Sequence, residues 1–267
     1  MQHAYSEDVR FQSLTPKGVL APFVAKIWHY EGRCLPHAWE RITPDGQLQL
    51  LINLDFDEIR WRDSAGLQAV RGAVLGGGFT GPIAIDTQQQ RCVTGVSFKP
   101  GGAVAFCSLL ATELSGTYVP LEDLGMPHLR DEMLAQPSVR ARLHLWKNIL
   151  LNRLSVHVDE PILAGARLVG RGAAVREVAA EVGLSPKQFR RRFMHAVGLP
   201  PKRFARIRRL QRVLRANADK QADWTIVAHH FNYHDQAHLI RDFRELTGVT
   251  PGSYRARSAD DWNHALL

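Results

Sequence analysis

The stretch FNYHDQAHLIRDFRELTGVTPGSYR, residues 231–255, decides the fold of the second half of this 267-residue chain. A related stretch, LSPKQFRRRFMHAVGLPPKRF, stands earlier at residues 184–204. The shared residues recur at a spacing of 49 or 50: Val178 and Val227, Arg191 and Arg241, Phe193 and Phe243, Gly198 and Gly248, Pro201 and Pro251. We therefore interpret residues 175–205 and 224–255 as two copies of one structural unit.

The first copy has the residue pattern of a helix-turn-helix. Its first helix is predicted from an apolar stripe at helical spacing, formed by Val175, Val178, Ala179 and Val182. Gly183 then ends this helix, because glycine readily adopts a positive φ. Ser185 is a suitable N-cap for the next helix and Pro186 a suitable first residue. Phe189 and Phe193, four residues apart, are expected to point inward.

The second copy repeats the pattern with different residues. Its stripe consists of Trp224, Val227, Ala228 and Phe231. Asn232 takes the helix-ending place, since asparagine tolerates the left-handed conformation. Asp235 can cap the following helix, whose inward residues are Leu239 and Phe243. Between the copies, residues 202–217 are predicted to form a helix about 24 Å long, which would hold both units on one rigid body.

Positive charge is concentrated in the segment that contains the repeat. Residues 161–257 hold 19 Lys and Arg against seven Asp and Glu, a balance of +12, whereas residues 1–160 and the last ten residues each balance at −2. A strongly basic domain favours a polyanionic partner, because neutralising phosphates releases condensed counterions. A solubilising surface is the alternative, and charge alone does not decide between the two.

The repeat resembles the DNA-binding domain of the AraC/XylS family of bacterial transcription regulators. The residues that fall on the signature of the family's second unit are Asp235, His238, Arg241, Phe243, Gly248, Thr250, Pro251, Tyr254 and Arg255. Asn232, Ala237 and Leu239 depart from its usual Gly, Ser and Phe. The resemblance covers residues 160–257 and implies two helix-turn-helix units that bind DNA.

If the family's geometry holds, two helices near 186–195 and 236–245 read adjacent major-groove segments. Successive major-groove faces recur about 34 Å apart, so both helices could reach one side of a duplex. The candidate DNA-binding residues are Lys187, Gln188, Arg190, Arg191, Gln236, His238 and Arg241. The arginines suit bidentate contact with guanine O6 and N7. For each residue, a solvated helix face is the alternative.

The first half is predicted to be β-rich. Strands are expected around residues 22–32, 47–54, 58–62, 73–75, 83–86 and 92–98, followed by helices around 103–114, 128–135 and 138–155. The fold class is therefore α+β, with an N-terminal small barrel or cupin-like domain ahead of the all-α domain. We expect a sensing domain at 1–155, the DNA-binding domain at 160–257, a tail at 258–267, and the domain boundary within the glycine-containing segment 158–172.

The N-terminal half also resembles the uncharacterised sensing domain of one subgroup of the family. Trp28, the PDG turn at 44–46 and FKPGG at 98–102 carry this resemblance, which implies no particular effector. Residues that could line an effector pocket are Trp28, His29, His37, Trp39, Arg41 and Asn53. Ordinary core and rim positions are the alternative for all six.

No catalytic, metal or cofactor site is predicted. His230, His234 and His238 lie at intervals of four, but the predicted turn breaks the helix face that they would share. Cys34, Cys92 and Cys107 have no metal-binding spacing, and we expect reduced thiols in a cytoplasmic protein. The chain has neither an export signal nor an apolar run of the ~18 residues needed to span a membrane.

We therefore predict a one-component transcription regulator that binds double-stranded promoter DNA and is not an enzyme. Whether it acts as an activator or a repressor stays open. A small-molecule effector, RNA polymerase and a second copy of the chain stay open as further partners. Two other functions also stay open. One is a DNA-targeted, metal-dependent cupin-like enzyme, and the other is an architectural protein that binds DNA without sequence preference.

Overall fold

The computed structural model describes residues 10–32, 37–155, 158–217, 223–258 and 261–266. Within these residues the N-terminal half contains two antiparallel β-sheets followed by helices, and the C-terminal half is helical apart from a final short strand. The predicted α+β class, with a β-rich domain ahead of an all-α domain, is confirmed. Cys34 lies outside the described residues.

The strands are β1 (Arg10–Leu14), β2 (Val24–Glu31), β3 (Trp39–Ile42), β4 (Leu48–Asn53), β5 (Ile59–Asp63), β6 (Gly66–Val70), β7 (Ala73–Gly77), β8 (Ile83–Asp86), β9 (Cys92–Phe98), β10 (Thr117–Pro120) and β11 (His264–Leu266). The first sheet has the order β1-β2-β9-β4-β7-β10, and the second has the order β11-β3-β8-β5-β6. All six predicted strands form. β1, β3, β6, β10 and β11 were not predicted.

The helices are α1 (Ala111–Leu114), α2 (Leu129–Leu134), α3 (Val139–Arg153), α4 (Glu160–Arg171), α5 (Val175–Glu181), α6 (Pro186–Val197), α7 (Pro201–Ala216), α8 (Trp224–His230) and α9 (Gln236–Thr247). α7 is the predicted connecting helix and is called the linker helix below. The helices predicted at 128–135 and 138–155 are present as α2 and α3.

The first sheet is covered on both faces, which explains its apolar central strands. Helix α3 packs on one face, where Trp146 is fully buried and donates its indole N–H to Thr94 Oγ1 at 3.0 Å. The second sheet packs on the other face through a smaller cluster that contains Trp61 and Ile83. β9 lies at the middle of this arrangement and is buried from Val93 to Phe98, as expected for a strand without a solvent face.

The prediction of one helix over residues 103–114 is wrong. Residues 103–105 form a single 3₁₀ turn, and only α1 is α-helical. Between them Leu110 is extended, with φ −72° and ψ 145°. The apolar residues that suggested a helical stripe are buried as an irregular segment, in which Ala105 O accepts a hydrogen bond from Ser155 N at 2.8 Å.

Most of residues 158–172, the segment in which the domain boundary is expected, forms helix α4. Asp159 caps this helix by accepting a hydrogen bond from Ile162 N, and Pro161 lies in its first turn. Gly165 is present for packing, since a Cβ there would lie 2.8 Å from the Phe189 ring. The glycine marks a close helix crossing rather than a flexible connection.

The helical half has one apolar core that joins both repeated units. Phe189, Phe193 and Phe204 pack ring to ring within it, and the second unit adds Leu239 and Phe243. The turns follow the predicted chemistry, because Gly183 has φ +70° and Asn232 has φ 57°. Both helix-turn-helix motifs predicted from the repeat are therefore present.

The C-terminal segment returns to the N-terminal domain. β11 pairs antiparallel with β3, with Ala265 opposite Arg41, and Thr43 N donates to Asn263 O at 2.9 Å. Glu40 on β3 is 1% exposed and lies 3.4 Å from Arg257 Nη1 and 3.7 Å from His264 Nδ1. Within the predicted tail, residues 264–266 thus form an edge strand of the second sheet.

Candidate nucleic-acid interface

Helix α6 is the first reading helix, by which we mean the second helix of a helix-turn-helix unit. Ser185 Oγ accepts from Gln188 N at 3.3 Å, and Gln188 Oε1 accepts from Ser185 N at 3.0 Å, which closes a capping box. The side-chain amide oxygen of Gln188 is therefore engaged in the cap. Lys187, Arg190 and Arg191 are exposed and make no hydrogen bond or ion pair to the residues that the structure describes.

Helix α9 is the second reading helix, and Asp235 caps it by accepting from His238 N at 2.6 Å. Arg241 is exposed and has no ion pair within the described chain. Gln236 is also exposed, with its Oε1 3.4 Å from Thr225 Oγ1. Three of the four cations predicted to read DNA, Arg190, Arg191 and Arg241, are therefore arginines with unoccupied guanidinium groups.

His238 is less accessible than predicted. Its ring packs edge-on against Tyr233 with centroids 5.2 Å apart, and its Nε2 lies 3.9 Å from a carboxylate oxygen of Asp242. Its Nδ1 accepts from His234 N at 3.4 Å. Both ring nitrogens thus face groups of the protein. The main role that these contacts support for His238 is to stabilise the start of α9.

Arg244 extends the polar face of α9 and was not among the predicted residues. It is exposed and lies three residues beyond Arg241, which places the two side chains on neighbouring positions of one helix face. The three-residue spacing from Arg241 is the feature of the sequence that could have predicted its position on this face. The second reading helix therefore presents two arginines, and the first presents two arginines and a lysine.

The linker helix contributes less free positive charge than its sequence suggests. Arg203 and Arg206 pair with Glu245, and Arg206 Nη2 donates to Asp242 Oδ1 at 2.7 Å. The hydrogen bond to Asp242 raises the pKa of Arg206, whereas burial lowers the pKa of Arg208. Lys202 and Arg215 are the exposed cations of the linker helix, whereas Arg203, Arg206, Arg208, Arg209 and Arg212 are partly buried.

The N-terminal domain contacts the end of the first reading helix. Gly198, which ends α6 with φ +85°, packs so closely on residues 111–115 that a Cβ would lie 2.5 Å from Ala111 O. A cleft of about 600 Å³ opens beside this contact and is lined by Thr112, Pro186, Lys187, Arg190, Arg191, Met194 and His195. The cleft is thus lined mainly by the cationic face of α6, and Thr112 is its contribution from the N-terminal domain.

A second contact between the domains lies on the linker helix. Gln211 Nε2 donates to Thr43 Oγ1 at 3.1 Å and to Pro44 O at 2.8 Å. Arg208 Nη1 donates to Asp45 O at 3.2 Å, and a Cβ at Gly46 would touch the Phe204 ring. The PDG turn singled out from the sequence therefore contacts the helix that joins the two units.

Four of the six candidate effector residues are engaged with other groups of the protein. His29 is buried and lies 4.0 Å from Cys92 Sγ, whereas its neighbour Trp28 donates to Ser97 Oγ at 3.0 Å. Asn53 donates to two backbone carbonyls, Glu58 O and Gln89 O, each at 2.7 Å. Trp39 is covered by the Arg62 guanidinium, 4.0 Å from the ring centroid. These contacts are the ones expected of structural residues.

The histidines and cysteines that the structure describes form no group of metal ligands. The turn between α8 and α9 separates His230 from His238, as predicted. Within the described ranges, no three His, Cys, Asp or Glu side chains are placed to hold one metal ion. Cys92 and Cys107 are free thiols whose pKa is raised by burial. No helix in the described part of the chain is long and apolar enough to cross a membrane.

Comparisons with known proteins identify both halves. A family model of a helix-turn-helix domain matches residues 178–257, and a model of a domain of unknown function, DUF6597, matches residues 12–120. No match was found among curated proteins.

The fold is similar to solved structures of ToxT from Vibrio cholerae. An apo form has 9% identity and a TM-score of 0.43, over 91% of this chain and 94% of that chain. Another ToxT structure has 5% identity and a TM-score of 0.44, over 92% and 97%. A third, with ToxT bound to an unsaturated fatty acid, has 7% identity and a TM-score of 0.41, over 93% and 95%.

The two capped reading helices, their repeat and the matched helix-turn-helix model agree with one another. The chain therefore carries an AraC-type helix-turn-helix domain at residues 178–257 behind a DUF6597 domain at residues 12–120.

Proposed function

We propose that this regulator binds specific promoter sequences by placing α6 and α9 in two adjacent segments of the major groove. The observation that carries the proposal is that Arg191 and Arg241 occupy equivalent positions in the two units. Both are exposed, and neither has an ion pair with the described residues. A guanidinium presented in this way can donate two hydrogen bonds to guanine. Lys187, Gln188, Arg190 and Gln236 add base or phosphate contacts on the same two faces.

The two units should read different bases. The first reading helix carries Lys187, Arg190 and Arg191, whereas the second carries Gln236, Arg241 and Arg244 at its outward positions. A single chain is therefore expected to recognise two unlike boxes about one helical turn apart. Non-specific architectural binding does not require such shaped and capped reading helices, and a metal-dependent enzyme has no grouped ligands in the described residues to support it.

Selection of bound sequences from random DNA tests the proposal directly. The full chain is expected to enrich an asymmetric motif of two boxes, and a chain with both Arg191→Ala and Arg241→Ala is expected to lose the enrichment. A mirrored repeat of both boxes would indicate that two copies bind together. Enrichment of no motif by the wild-type chain would refute sequence-specific binding.

We also propose that residues 1–155 sense a small molecule and thereby alter DNA binding by residues 160–257. Support comes from Thr43 and Pro44, which contact the linker helix through Gln211, and from residues 111–115, which contact the end of α6. A ligand that favours one arrangement of these contacts would shift the population of DNA-binding conformations. Thermal shift and DNA titration across a metabolite panel test this, and a panel that alters neither would contradict it.

A further inference from the structure

In the first unit, the residue after Arg191 forms an ion pair with a residue outside its own helix, and we call such a residue an anchor. Arg192, next to Arg191, donates from Nε to Asp159 Oδ2 at 2.7 Å and from Nη2 to Asp159 Oδ1 at 2.6 Å. Asp159 is also the N-cap of α4. The first reading helix is therefore attached to the start of α4, the helix that precedes its unit, by a bidentate ion pair.

The second unit has an anchor at the equivalent position, but with the opposite charge. Asp242, next to Arg241, is 4% exposed. Its Oδ1 accepts from Arg206 Nη2 at 2.7 Å and from Arg206 Nε at 3.2 Å, and its Oδ2 accepts from Arg209 Nη2 at 3.2 Å. The second reading helix is therefore attached to the linker helix by a buried carboxylate.

Arg209 connects this anchor to the turn that precedes the reading helix. Its Nη1 donates to Asn232 O at 2.9 Å, and its guanidinium lies 4.0 Å from the centroid of the Tyr233 ring. Asn232 is the residue with positive φ that creates the turn. One guanidinium thus holds the turn and the helix in a fixed relation to each other.

Such ion pairs control orientation more than they contribute stability. Apolar contacts from residues such as Phe193 and Phe243 bury one face of a helix, but hydrophobic burial has no preferred direction. Charge-assisted hydrogen bonds do have one. A buried ion pair often adds little stability over an apolar replacement, and its best supported role is to select one conformation.

Base reading is sensitive to helix orientation. Functional side chains have to be held within roughly 10–20° of the productive geometry. A guanidinium about 8 Å from the helix axis moves by about 2 Å when the helix turns by 15°. That displacement is enough to break a bidentate contact with guanine, for which both N–H groups must be aligned.

We propose that Arg192 and Asp242 are positioning residues for DNA reading, each of which sets the rotation of its own reading helix and so aims the neighbouring arginine. Neither side chain touches DNA. The inference rests on the proposed function and adds that the two units are oriented independently, by anchors of opposite charge. Each anchor therefore serves only its own box of the DNA site.

Binding of the full chain to the duplex selected by the wild-type protein, and to all its single-base substitutions, tests this inference. Asp242→Asn keeps the shape of the side chain and removes its charge. It is expected to lower discrimination about tenfold at the bases of the second box, and to leave the first box unchanged within about twofold. Arg192→Met is expected to lower discrimination about tenfold at the bases of the first box, and to leave the second box unchanged within about twofold.

Three further variants separate positioning from loss of fold. Asp159→Asn keeps the N-cap of α4 and should reproduce Arg192→Met, while the double variant should add nothing further. Arg209→Lys keeps the positive charge and should reproduce Asp242→Asn. Glu245 lies on α9, as Asp242 does, and is an exposed partner of Arg203 and Arg206. Glu245→Gln should leave base discrimination in both boxes unchanged. Thermal unfolding of each variant confirms that it is folded.

The outcomes distinguish this inference from the proposed function. Equal loss of discrimination in both boxes, or loss in neither, would overturn the positioning roles while wild-type binding still supported the function. Absence of any motif selected by the wild-type chain would overturn both.

Discussion

Trp262 donates its indole N–H to Gln211 Oε1 at 2.9 Å and so joins the C-terminal segment to the middle of the linker helix. Gln211 is 6% exposed, and its amide nitrogen donates to Thr43 and Pro44 of the N-terminal domain. The buried amide therefore has all its partners only when the C-terminal segment and the N-terminal domain are both in place. A polar group buried in an apolar helix face in this way makes the helix sensitive to the arrangement of the domains.

Trp262→Phe is expected to lower the stability of the chain by about 1–3 kcal/mol, because it leaves the Gln211 carbonyl buried without a donor. The measurement is the midpoint of urea unfolding. Trp39→Phe is the matched control, since Trp39 stacks on Arg62 and its indole donates no hydrogen bond to the residues that the structure describes. An equal effect of both substitutions would show that Trp262 contributes only apolar packing.

Gly198→Ala and Gly183→Ala compare two helix-ending glycines with similar φ, +85° and +70°. A Cβ at Gly183 meets open space, so alanine there should cost only about 1–2 kcal/mol of backbone strain. At Gly198 the Cβ would also collide with Ala111 O and Ser115 Oγ, which should add about 1–3 kcal/mol. Thermal unfolding measures both losses, and equal losses would mean that residues 111–115 do not pack against α6 in solution.

Arg191→Ala and Arg241→Ala should each weaken binding to the selected duplex by about 1–3 kcal/mol and relax one base position. Titrations on the selected and a scrambled duplex measure this. Lys202→Ala is the control, because Lys202 is an exposed cation on the linker helix rather than on a reading helix. Losses of the same size on both duplexes would make the arginine a phosphate contact.

Glu40→Gln is expected to flatten the acid side of the stability profile. Burial raises the pKa of Glu40, but His264 and Arg257 together outweigh burial and hold it below the ordinary value of 4.5. Because the folded pKa lies below the unfolded one, the carboxylate stabilises the fold above about pH 4.5, and this contribution is lost as the pH falls through the folded pKa. Urea midpoints between about pH 6 and pH 3 test this, and an identical pH dependence in the variant would contradict it.

Local chemistry predicted the helical half well because its signals are close together in the chain. Ser185, Gly183 and Asp235 each act within three or four residues, so the ends of α5, α6 and α9 follow from the sequence. The sheet edges were missed for the opposite reason. Thr43 and Asn263 are hydrogen-bonded across 220 residues, and a three-residue strand has no periodicity of its own.

The same distinction explains which solvent-facing side chains could be predicted from the sequence. Arg190, Arg191 and Arg241 face solvent, as their helical positions predict. Arg206 and Arg209 have similarly polar positions on the linker helix, but their partner Asp242 is more than thirty residues away. Sequence spacing within one helix cannot separate a free cation from one that is neutralised by another helix.

The pairing of β11 with β3 means that the domains are joined twice, once through the chain between α3 and α4 and once through backbone hydrogen bonds at the far end. A protease cut between α3 and α4 would therefore leave two fragments that stay associated. A truncation after Arg257, where the helix-turn-helix match ends, would remove an edge strand from the other domain and expose β3 to pairing with foreign chains. Fusion partners attached at the C-terminus would sit against that sheet rather than at the end of a free tail.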